Sequence, residues 1–316
     1  MASKKASFVR GRRIRVTRVD ACGRPVFGDD SQAVSKGFIS IAFTANTVES
    51  DEINQPNASG EVCIYEPSQP SLSGYGVEIQ FCEVDPELFS LITGQEVYLD
   101  ENGDAIGLSV GTDIELSDSG FALELWAGSP SGDACSGSAA GGSYGYFLMP
   151  YLKGGMIGDF TVENGAVTFT ITGATTRDNN QWGTGPYDVM INGGGAGPLL
   201  TPIAPKKHVL LILVGVAPPE PFTGARPVLD PEVNDVTGIT ATEGGSPTEA
   251  DFTFAGATDS PVWIEFGDGE WDYVEMGSDG ASHAYDANGT YTVRASSNGN
   301  WIEQTITIPI DDGSGD

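Results

Sequence analysis

The chain has 316 residues, of which 39% are hydrophobic and 43 are glycine, and its formal net charge at pH 7 is −29. This length allows about two domains, and the glycine content predicts many turns between short strands. The negative charge argues against the binding of nucleic acid by electrostatic attraction, but it does not exclude a surface past which DNA slides without sticking.

Charge is distributed unevenly along the chain. Seven of the 15 lysines and arginines precede Asp20, whereas the segment from Leu229 onward has 18 Asp and Glu residues against one basic residue, Arg294. The basic first residues lack an apolar stretch, so we expect residues 1–12 to form a flexible basic arm and not a secretory signal. No stretch is apolar for the roughly 20 residues that a membrane span needs. We therefore predict synthesis in a cytoplasm and no membrane insertion.

The four cysteines stand singly, at Cys22, Cys63, Cys82 and Cys135. Zinc sites and small disulfide-rich domains have paired cysteines at characteristic spacings, which are missing here. The pattern predicts reduced, buried thiols, with no disulfide, no bound metal and no cofactor.

Alternating apolar and polar residues predict strands in the first 82 residues of the chain. The predicted strands are Ile14 to Val19, Phe38 to Phe43, Glu61 to Tyr65 and Tyr75 to Cys82, and polar loops occupy Asp20 to Ser35 and Thr44 to Ser59.

One helix is predicted, from Asp85 to Gly94. Asp85 can accept hydrogen bonds from the first free N–H groups, Pro86 suits the first helical position, and Gly94 suits the left-handed residue that ends a helix. The apolar stripe of this helix consists of Leu88, Leu91 and Ile92.

Beyond the helix, strands alternate with turns up to a proline-rich segment. The predicted strands are Val97 to Leu99, Ala105 to Leu108, Phe121 to Trp126, Tyr144 to Tyr151, Met156 to Phe160, Ala166 to Thr172, Tyr187 to Ile191 and Val209 to Val214; turns are predicted at Asp100 to Asp104 and Glu163 to Gly165, and a loop at Ser129 to Ser143. The last strand is a short apolar run, which predicts burial on both faces. Five prolines between Pro218 and Pro231 then end the sheet, because proline cannot donate a ladder hydrogen bond.

Six short strands recur after residue 231, a spacing typical of an immunoglobulin-like β-sandwich. They are Val236 to Ala241, Ala250 to Phe254, Val262 to Phe266, Tyr273 to Met276, Gly289 to Ala295 and Trp301 to Ile308. The predicted fold class is therefore all-β, with a first sandwich or barrel that includes one short helix and a second, immunoglobulin-like sandwich. The predicted boundaries are residues 1–217 for the first domain, 218–230 for a linker, 231–310 for the second domain and 311–316 for an acidic tail.

Two sequence segments in the second domain carry a specific pattern, Trp263 to Gly269 (WIEFGDG) and Ser282 to Val293 (SHAYDANGTYTV). Together they closely resemble the PKD domain, a small immunoglobulin-like module. The matching residues are Trp263, Phe266, Gly267, Asp268, Gly269, His283, Tyr285, Gly289, Tyr291 and Val293. The resemblance implies structural roles for these residues: a tight turn at Asp268, a central core aromatic at Trp263, and packing partners in His283 and Asp268 instead of a catalytic pair. It also implies an outward-facing binding or spacer module, with a host-surface glycan as a candidate ligand.

The first domain resembles the major tail proteins, or tail tube proteins, of long non-contractile-tailed phages of actinobacteria. The matching segments are Arg13 to Val19, Asn57 to Cys63, Val77 to Gly94 and Val209 to Pro219, in order and spacing. The resemblance implies a structural virion subunit that forms hexameric rings and stacks them into a tube for genome ejection. Its partners would be other copies of itself, the tape measure, tail terminator and tail tip proteins, and DNA that passes through the lumen without sequence recognition. The PKD domain would decorate the tail exterior.

Two groups of charged residues are candidates for subunit contacts on this hypothesis. The basic residues Arg10, Arg12 and Arg13 could order on a neighbouring subunit, and Glu49, Asp51 and Glu52 lie in a polar segment that is too long for a simple turn and could bridge to the adjacent ring. Without the resemblance, the same residues would be a solvated tail and a mobile surface loop.

No catalytic pattern is found, and we predict that the chain is not an enzyme. Asp100, Asn102 and Asp104 imitate the start of a calcium loop, but the glycine is misplaced and no glutamate follows at the twelfth position. Gly193 to Gly195 lacks the lysine of a phosphate-binding loop, and neither His208 nor His283 accompanies a nucleophile motif. Two alternatives remain open: a secreted or surface carbohydrate-binding or adhesive protein, and a non-catalytic fragment of a hydrolase.

Overall fold

The computed structural model describes residues 9–112, 114–115, 120–128, 144–160, 167–230, 236–256, 262–274, 280–297 and 301–310. Strands account for 57% of these described residues and helix for 3%, which confirms the predicted all-β class with a short helix. The chain divides into two compact units, one with residues up to Val26 and Asp30–Ala225, the other with Phe27–Asp29 and the residues from Arg226 onward.

The division between the units falls inside the segment predicted as a linker, 218–230. Its first part, up to Ala225, belongs to the first unit, and the remainder belongs to the second. The backbone N–H of Gly224 donates to Asp85 over 2.9 Å, and that of Ala225 donates to Glu87. These two bonds attach the end of the first unit to the start of its helix. The three residues Phe27–Asp29 of the second unit were not predicted from the sequence.

The first unit is built on one large antiparallel sheet. Its strands are β1 (Val9–Val19), β2 (Gly28–Ser35), β3 (Phe38–Glu49), β4 (Ile53–Pro56), β5 (Val62–Glu66), β6 (Pro70–Phe81), β7 (Glu96–Leu99), β8 (Ala105–Ser109), β9 (Gly120–Gly128), β10 (Tyr144–Lys153), β11 (Met156–Ile157), β12 (Phe169–Thr176), β13 (Met190–Asn192), β14 (Gly195–Gly197) and β15 (Leu210–Val214). The main sheet runs in the order β2-β1-β9-β10-β12-β6-β3, with β11 beside β12 and β15 beside β10. The pairs β4–β5, β7–β8 and β13–β14 form separate two-stranded sheets.

The central strands of this sheet are covered on both faces, which explains why every residue of β9 is buried. One face packs with the helix α1 (Pro86–Thr93), whose Leu88, Phe89 and Ile92 are at most 1% exposed. The opposite face packs under the segment that contains Trp182, Val189, Leu199 and Ile203. Fully burying one such side chain contributes about 1.5–3 kcal/mol, so two apolar layers hold the sheet.

The helix has the predicted caps. The Asp85 carboxylate accepts hydrogen bonds from the N–H groups of Glu87 and Leu88, Pro86 opens the helix, and Gly94 ends it at a φ of 71°. This prediction is confirmed.

The first strand is longer than predicted, and one predicted loop contains a strand. β1 begins at Val9, so residues 9–12 are not a flexible arm, because they pair with β9. Residues 1–8 of the predicted arm lie outside the described part. The segment predicted as a loop from Asp20 to Ser35 contains β2, which pairs with β1 from Ile14 to Thr17. Buried Ala33 and Val34 supply the apolar side chains that this pairing needs.

The second predicted loop, from Thr44 to Ser59, is also wrong. β3 continues to Glu49 and pairs with β6 as far as Pro70, and β4 follows within the same segment. The polar composition concealed these strands because both of their faces are exposed, so no apolar alternation is required.

β15 is not buried on both faces as predicted. Leu211 is 54% exposed, although Val214 in the same strand is 2% exposed. The strand pairs with β10 over Tyr144 to Leu148 and lies at the border of the sheet, which leaves one part of it open to solvent.

The second unit contains β16 (Arg226–Val228), β17 (Gly238–Glu243), β18 (Glu249–Ala255), β19 (Val262–Glu265), β20 (Trp271–Val274), β21 (Ala281–Ala284), β22 (Gly289–Ser296) and β23 (Ile302–Ile308). A three-stranded sheet, β17-β18-β21, and a four-stranded sheet, β20-β19-β22-β23, enclose one apolar core. This is the predicted two-sheet sandwich. The strand β21, which holds His283, was not predicted.

Three cysteines are free, as predicted, but they are not buried. Cys22, Cys63 and Cys82 are exposed, because each lies in a turn, on an open hairpin or at a strand end. Cys135 lies outside the described residues, as do the predicted loop from Ser129, the turn at Glu163 to Gly165 and the tail at 311–316.

Candidate functional site

A long β-hairpin extends from the edge of the main sheet of the first unit. Residues 44–73, here called the hairpin arm, are exposed except for Asn46 and Ser68, which are half-buried. The arm consists of the outer halves of β3 and β6 and the pair β4–β5, which ends in a turn where Asn57 accepts the N–H groups of Ser59 and Glu61. An isolated two-stranded hairpin is marginally stable in water. The arm therefore has little support from its own chain.

The hairpin arm also carries large apolar side chains in contact with water. Six of them are 49–59% exposed: Val48, Ile53, Val62, Ile64, Tyr65 and Leu72. Single exposed apolar residues are common, but a group of this size on one narrow element is typical of an interaction surface.

The three predicted acidic contact residues lie on this arm. Glu49 ends β3, and Asp51 and Glu52 follow it before β4, all of them exposed. The structure brings them together with the apolar side chains of the arm.

The three predicted basic contact residues lie in β1 and are separated from the hairpin arm along the sheet order. Arg10 is exposed in a bulge with a φ of 56°, and Arg12 is exposed beside it. The Arg13 guanidinium lies 3.6 Å from the carboxylate of Glu220, whose side chain is 91% exposed. A surface ion pair of this kind contributes at most about 1 kcal/mol.

A second hairpin, β7–β8, is a smaller exposed apolar element. Tyr98, Leu99, Ile106 and Val110 are 50–65% exposed, while Leu108 packs against the main core. Its turn is closed by Asp100, which accepts the N–H groups of Asn102 and Asp104. These bonds lower the pKa of Asp100 and occupy its carboxylate. The segment from Asp100 to Asp104, which resembles the start of a calcium loop in sequence, is therefore a hairpin turn.

A buried ion pair, which was not predicted from the sequence, links the central strands. Arg15 of β1 donates to Glu124 of β9 through Nε at 2.5 Å and Nη2 at 2.8 Å, and Glu124 is 0% exposed. The Tyr146 hydroxyl donates to the same carboxylate, and the Arg15 guanidinium lies 3.2 Å from the centre of the Tyr187 ring. The one available signal was a charged residue at Glu124 inside an otherwise apolar strand.

Burial and charge oppose each other in this pair. Burial alone would lower the pKa of Arg15, but the charge and hydrogen bonds of Glu124 raise it above its ordinary value. Burial, followed by the charge of Glu124, raises the pKa of Tyr146, so its hydroxyl stays protonated as a donor. Nε and Nη2 of Arg15 and both carboxylate oxygens of Glu124 have hydrogen-bond partners, and the network therefore has a structural role.

In the second unit, the structure brings most of the predicted PKD residues into one cluster. The His283 ring stacks on Phe266 at 4.0 Å and lies edge-on to Tyr285 at 4.6 Å, and Tyr285 packs on Tyr291 at 4.3 Å. His283 Nε2 lies 2.7 Å from Asp268, and the Tyr285 hydroxyl donates to the carbonyl of Phe266.

The turn after β19 holds Asp268 in place. Its carboxylate accepts the N–H of Glu270, and burial alone would raise the pKa of Asp268. The hydrogen bonds from His283 and Glu270 outweigh burial and lower the pKa. A side chain at Gly267, which has a φ of 88°, would lie 2.5 Å from the carbonyl oxygen of Thr292. Both observations agree with a packing role for this cluster.

The other predicted members of the cluster have simpler positions. Gly269 has a φ of 106° in the same turn, and Gly289 begins β22. Val293 in that strand is 0% exposed and belongs to the core of the unit.

Trp263 is not the central core aromatic that the sequence predicts. Val262 and Ile264 face the core of the second unit, so Trp263 lies on the other face of β19, stacked on Trp271 at 4.3 Å. On the same face, Glu265 accepts a hydrogen bond from Arg294 at 2.6 Å, and the Arg294 guanidinium lies 4.9 Å from the Trp301 ring. Trp271 and Trp301 are 37% and 38% exposed.

Within the described residues, no cluster of three or more His, Cys, Asp or Glu side chains could hold a metal ion. No helix in that part of the chain is long and apolar enough to cross a membrane. Comparisons with models of known protein families and with curated proteins found no match to this chain.

Proposed function

We propose that the chain is a self-assembling structural subunit, and specifically the subunit of a phage tail tube. The observation that carries the proposal is the exposed hairpin arm, which combines six large apolar side chains with little support from its own chain. Burying such an element on another copy would remove apolar surface from water and order a marginal hairpin in the same step.

The edge of the main sheet supports the same proposal. β3 is the last strand of the order β2-β1-β9-β10-β12-β6-β3, and Ile39 and Phe43 on it are 50% and 37% exposed. An exposed edge strand offers unpaired N–H and C=O groups to a neighbouring chain. Contacts between different patches of successive copies generate rings when the rotation closes and filaments when it does not.

The proposal covers the whole assembly that the sequence resemblance implies. Copies of the chain form hexameric rings that stack into a tube in the virion tail, with tape measure, terminator and tip proteins as partners. DNA passes through the lumen without sequence recognition, and the net charge of −29 supports a conduit that repels DNA. The second unit decorates the tail exterior.

Electron microscopy of the purified, concentrated protein tests the proposal. We expect six-fold rings or hollow tubes with regularly spaced external knobs. If only monomers are seen, the experiment is repeated with tail initiator and tape measure proteins, because a subunit can require an initiating complex. Monomers under both conditions would contradict the proposal.

Substitutions on the hairpin arm connect the assembly to the observation. Val48→Thr, Val62→Thr and Ile64→Thr together keep β-branched residues in the strands but remove apolar contact surface. We expect a folded monomer that no longer forms tubes. The matched control is Val84→Thr with Val110→Thr, two exposed valines away from the arm. Normal tubes from the arm variant would exclude a role for the arm.

A second candidate function is binding of carbohydrate by the second unit. Trp271 and Trp301 are partly exposed on the same face as the Arg294–Glu265 pair, and aromatic rings beside polar groups are typical of ligand sites. Binding to a glycan array tests this site. If the Trp271→Ala variant binds the same glycans as strongly as the unchanged protein, the site is excluded.

A further inference from the structure

A groove in the first unit lies beside β15. It has a volume of about 430 Å³ and is lined mainly by apolar side chains, among them Met190, Leu199, Ile203, Leu210 and Ile212. Leu200, which also lines it, is 59% exposed. The groove is therefore open to solvent, and its apolar lining is available to a partner.

The strand beside this groove has one free edge. Among the described residues, β15 pairs with β10 only, so the backbone groups on its other side have no ladder partner. An edge strand of sequence LLILV, without charge or proline, lacks the features that usually prevent pairing with another chain. An extended segment that pairs with such an edge gains main-chain hydrogen bonds and places alternate side chains in adjacent pockets.

The rim of the groove is basic and fixed in position. Lys206 and Lys207 are exposed, and neither forms an ion pair within the described part of the chain. The buried amide of Asn180 donates to the carbonyls of Ala204, Pro205 and Lys207, at 3.0–3.3 Å. These bonds hold the turn that carries both lysines. A preorganised rim loses less entropy on binding than a flexible one.

The hairpin arm has the complementary character. Residues 44–73 include five acidic residues, Glu49, Asp51, Glu52, Glu61 and Glu66, and no lysine or arginine. The hairpin β7–β8 is also acidic and apolar, but Leu108 anchors it to the main core. The arm lacks such an anchor over its whole length, and it has more apolar surface to bury.

We infer that the groove beside β15 is the receptor for the hairpin arm of a second copy of this chain. In the complex, apolar side chains of the arm fill the groove, and Asp51 and Glu52 face Lys206 and Lys207. This inference rests on the proposed function, because it names the contact through which copies assemble. The occupant is another copy and not a peptide of a different protein, since both complementary surfaces belong to this sequence.

A charge exchange in the full-length chain tests the contact. Lys206→Glu with Lys207→Glu should raise the protein concentration needed for assembly by at least about tenfold, because like charges that meet at an interface cost several kcal/mol. Asp51→Lys with Glu52→Lys should do the same. The chain with all four changes should assemble again at close to the original concentration. The control, Lys36→Glu with Arg177→Glu, changes the net charge equally and should have little effect.

Cross-linking identifies the two surfaces directly. Cys63 lies on the hairpin arm and is exposed, so one copy keeps it while Cys22, Cys82 and Cys135 are changed to serine. The second copy has no native cysteine and carries Leu200→Cys in the groove or, as a control, Tyr98→Cys on the hairpin β7–β8. A short bis-maleimide added to mixed assemblies should link Cys63 to the cysteine at position 200, as read by mass spectrometry.

The outcomes separate this inference from the proposed function. Tubes that form normally with Lys206 and Lys207 reversed, or a link from Cys63 to position 98 alone, would overturn the groove as the receptor and leave the tube proposal standing. In a further mixture, of copies with Tyr98→Cys alone and copies with Leu200→Cys alone, a link between positions 98 and 200 would assign the groove to the hairpin β7–β8. Failure of the unchanged protein to assemble under any condition would overturn both.

Discussion

At the scale of single residues, the buried pair Arg15–Glu124 is the feature of the first unit whose disruption should cost a large free energy of unfolding. Two charges have been taken out of water, and their mutual hydrogen bonds, the Tyr146 hydroxyl and the Tyr187 ring offset that cost. Such a pair contributes little net stability when it is intact, but removal of one partner leaves an uncompensated buried charge.

We expect Glu124→Gln to lower the free energy of unfolding by about 3–5 kcal/mol, because the Arg15 charge loses its counter-ion. Urea denaturation at neutral pH measures this loss. Arg18→Ala is the control, because Arg18 is an exposed arginine of the same strand and should change stability by less than about 0.5 kcal/mol. Equal effects of the two substitutions would mean that water reaches the Arg15–Glu124 pair and that loss of the counter-ion does not destabilise the fold.

Glu87 gives a prediction on pH. Burial, then the nearby charges of Asp30 and Asp85, outweighs the hydrogen bond from Ala225 and raises the pKa of Glu87. The folded state thus holds this proton more tightly than the unfolded state, whose pKa is about 4.3. The stabilising contribution is complete below that value and is lost as the pH rises through the folded pKa.

Glu87→Gln should therefore match the unchanged protein below about pH 4 and be at least as stable above it, because glutamine still accepts the Ala225 N–H. Chemical denaturation from pH 4 to pH 7 gives the comparison, with the exposed Glu83→Gln as control. If the Glu87→Gln protein becomes less stable than the unchanged protein as the pH rises, the pKa of Glu87 is lowered in the folded state and not raised.

At the scale of elements, the hairpin arm should differ most between the free and the assembled chain. Its backbone hydrogen bonds are solvent-exposed on both faces, and such regions open locally at low free-energy cost. We expect amides of residues 44–73 to exchange within seconds to minutes in the monomer and to become protected in tubes. The amides of β9, which is buried throughout, should be protected in both states. Unchanged exchange in the arm on assembly would contradict its role as an interface.

The same elements show what the sequence could and could not predict. The helix was predicted correctly because Asp85, Pro86 and Gly94 are local signals that act within one turn. Most strands of the second unit were predicted from the alternation of apolar and polar residues, because one face of each strand is buried. The outer half of β3 could not be predicted, because a strand exposed on both faces has no apolar period.

Tertiary placement limited the prediction of the candidate sites. The acidic residues Glu49, Asp51 and Glu52 were singled out from segment length together with the family resemblance, and the structure adds the six apolar side chains beside them. The groove beside β15 combines residues from 190 to 212 with a turn fixed by Asn180, so no short stretch of sequence describes it. Trp263 was placed on the wrong face because the strand position of its neighbours, and not its size, decides which side chains enter the core.

At the scale of the whole molecule, charge opposes the proposed assembly. The chain has a net charge of −29, and the segment from Leu229 onward contributes −17 of it. Copies that approach each other repel, and salt weakens this repulsion because the Debye length falls from about 30 Å at 0.01 M to about 8 Å at 0.15 M. If the second unit is an external decoration, its charge raises the concentration needed for assembly without contributing contacts.

Deletion of residues 228–316 should therefore leave tubes intact and ease their formation at low salt, because the remaining chain has a net charge of about −12. Light scattering and electron microscopy at about 0.02 M and about 0.3 M salt give the comparison. We expect the truncated chain to assemble at the lower concentration at low salt, and the two chains to converge at high salt. Loss of tubes on truncation would show that the second unit belongs to the assembling body. If the truncated chain forms tubes with the same salt dependence as the full-length chain, the charges of the second units in neighbouring copies are too far apart to repel each other.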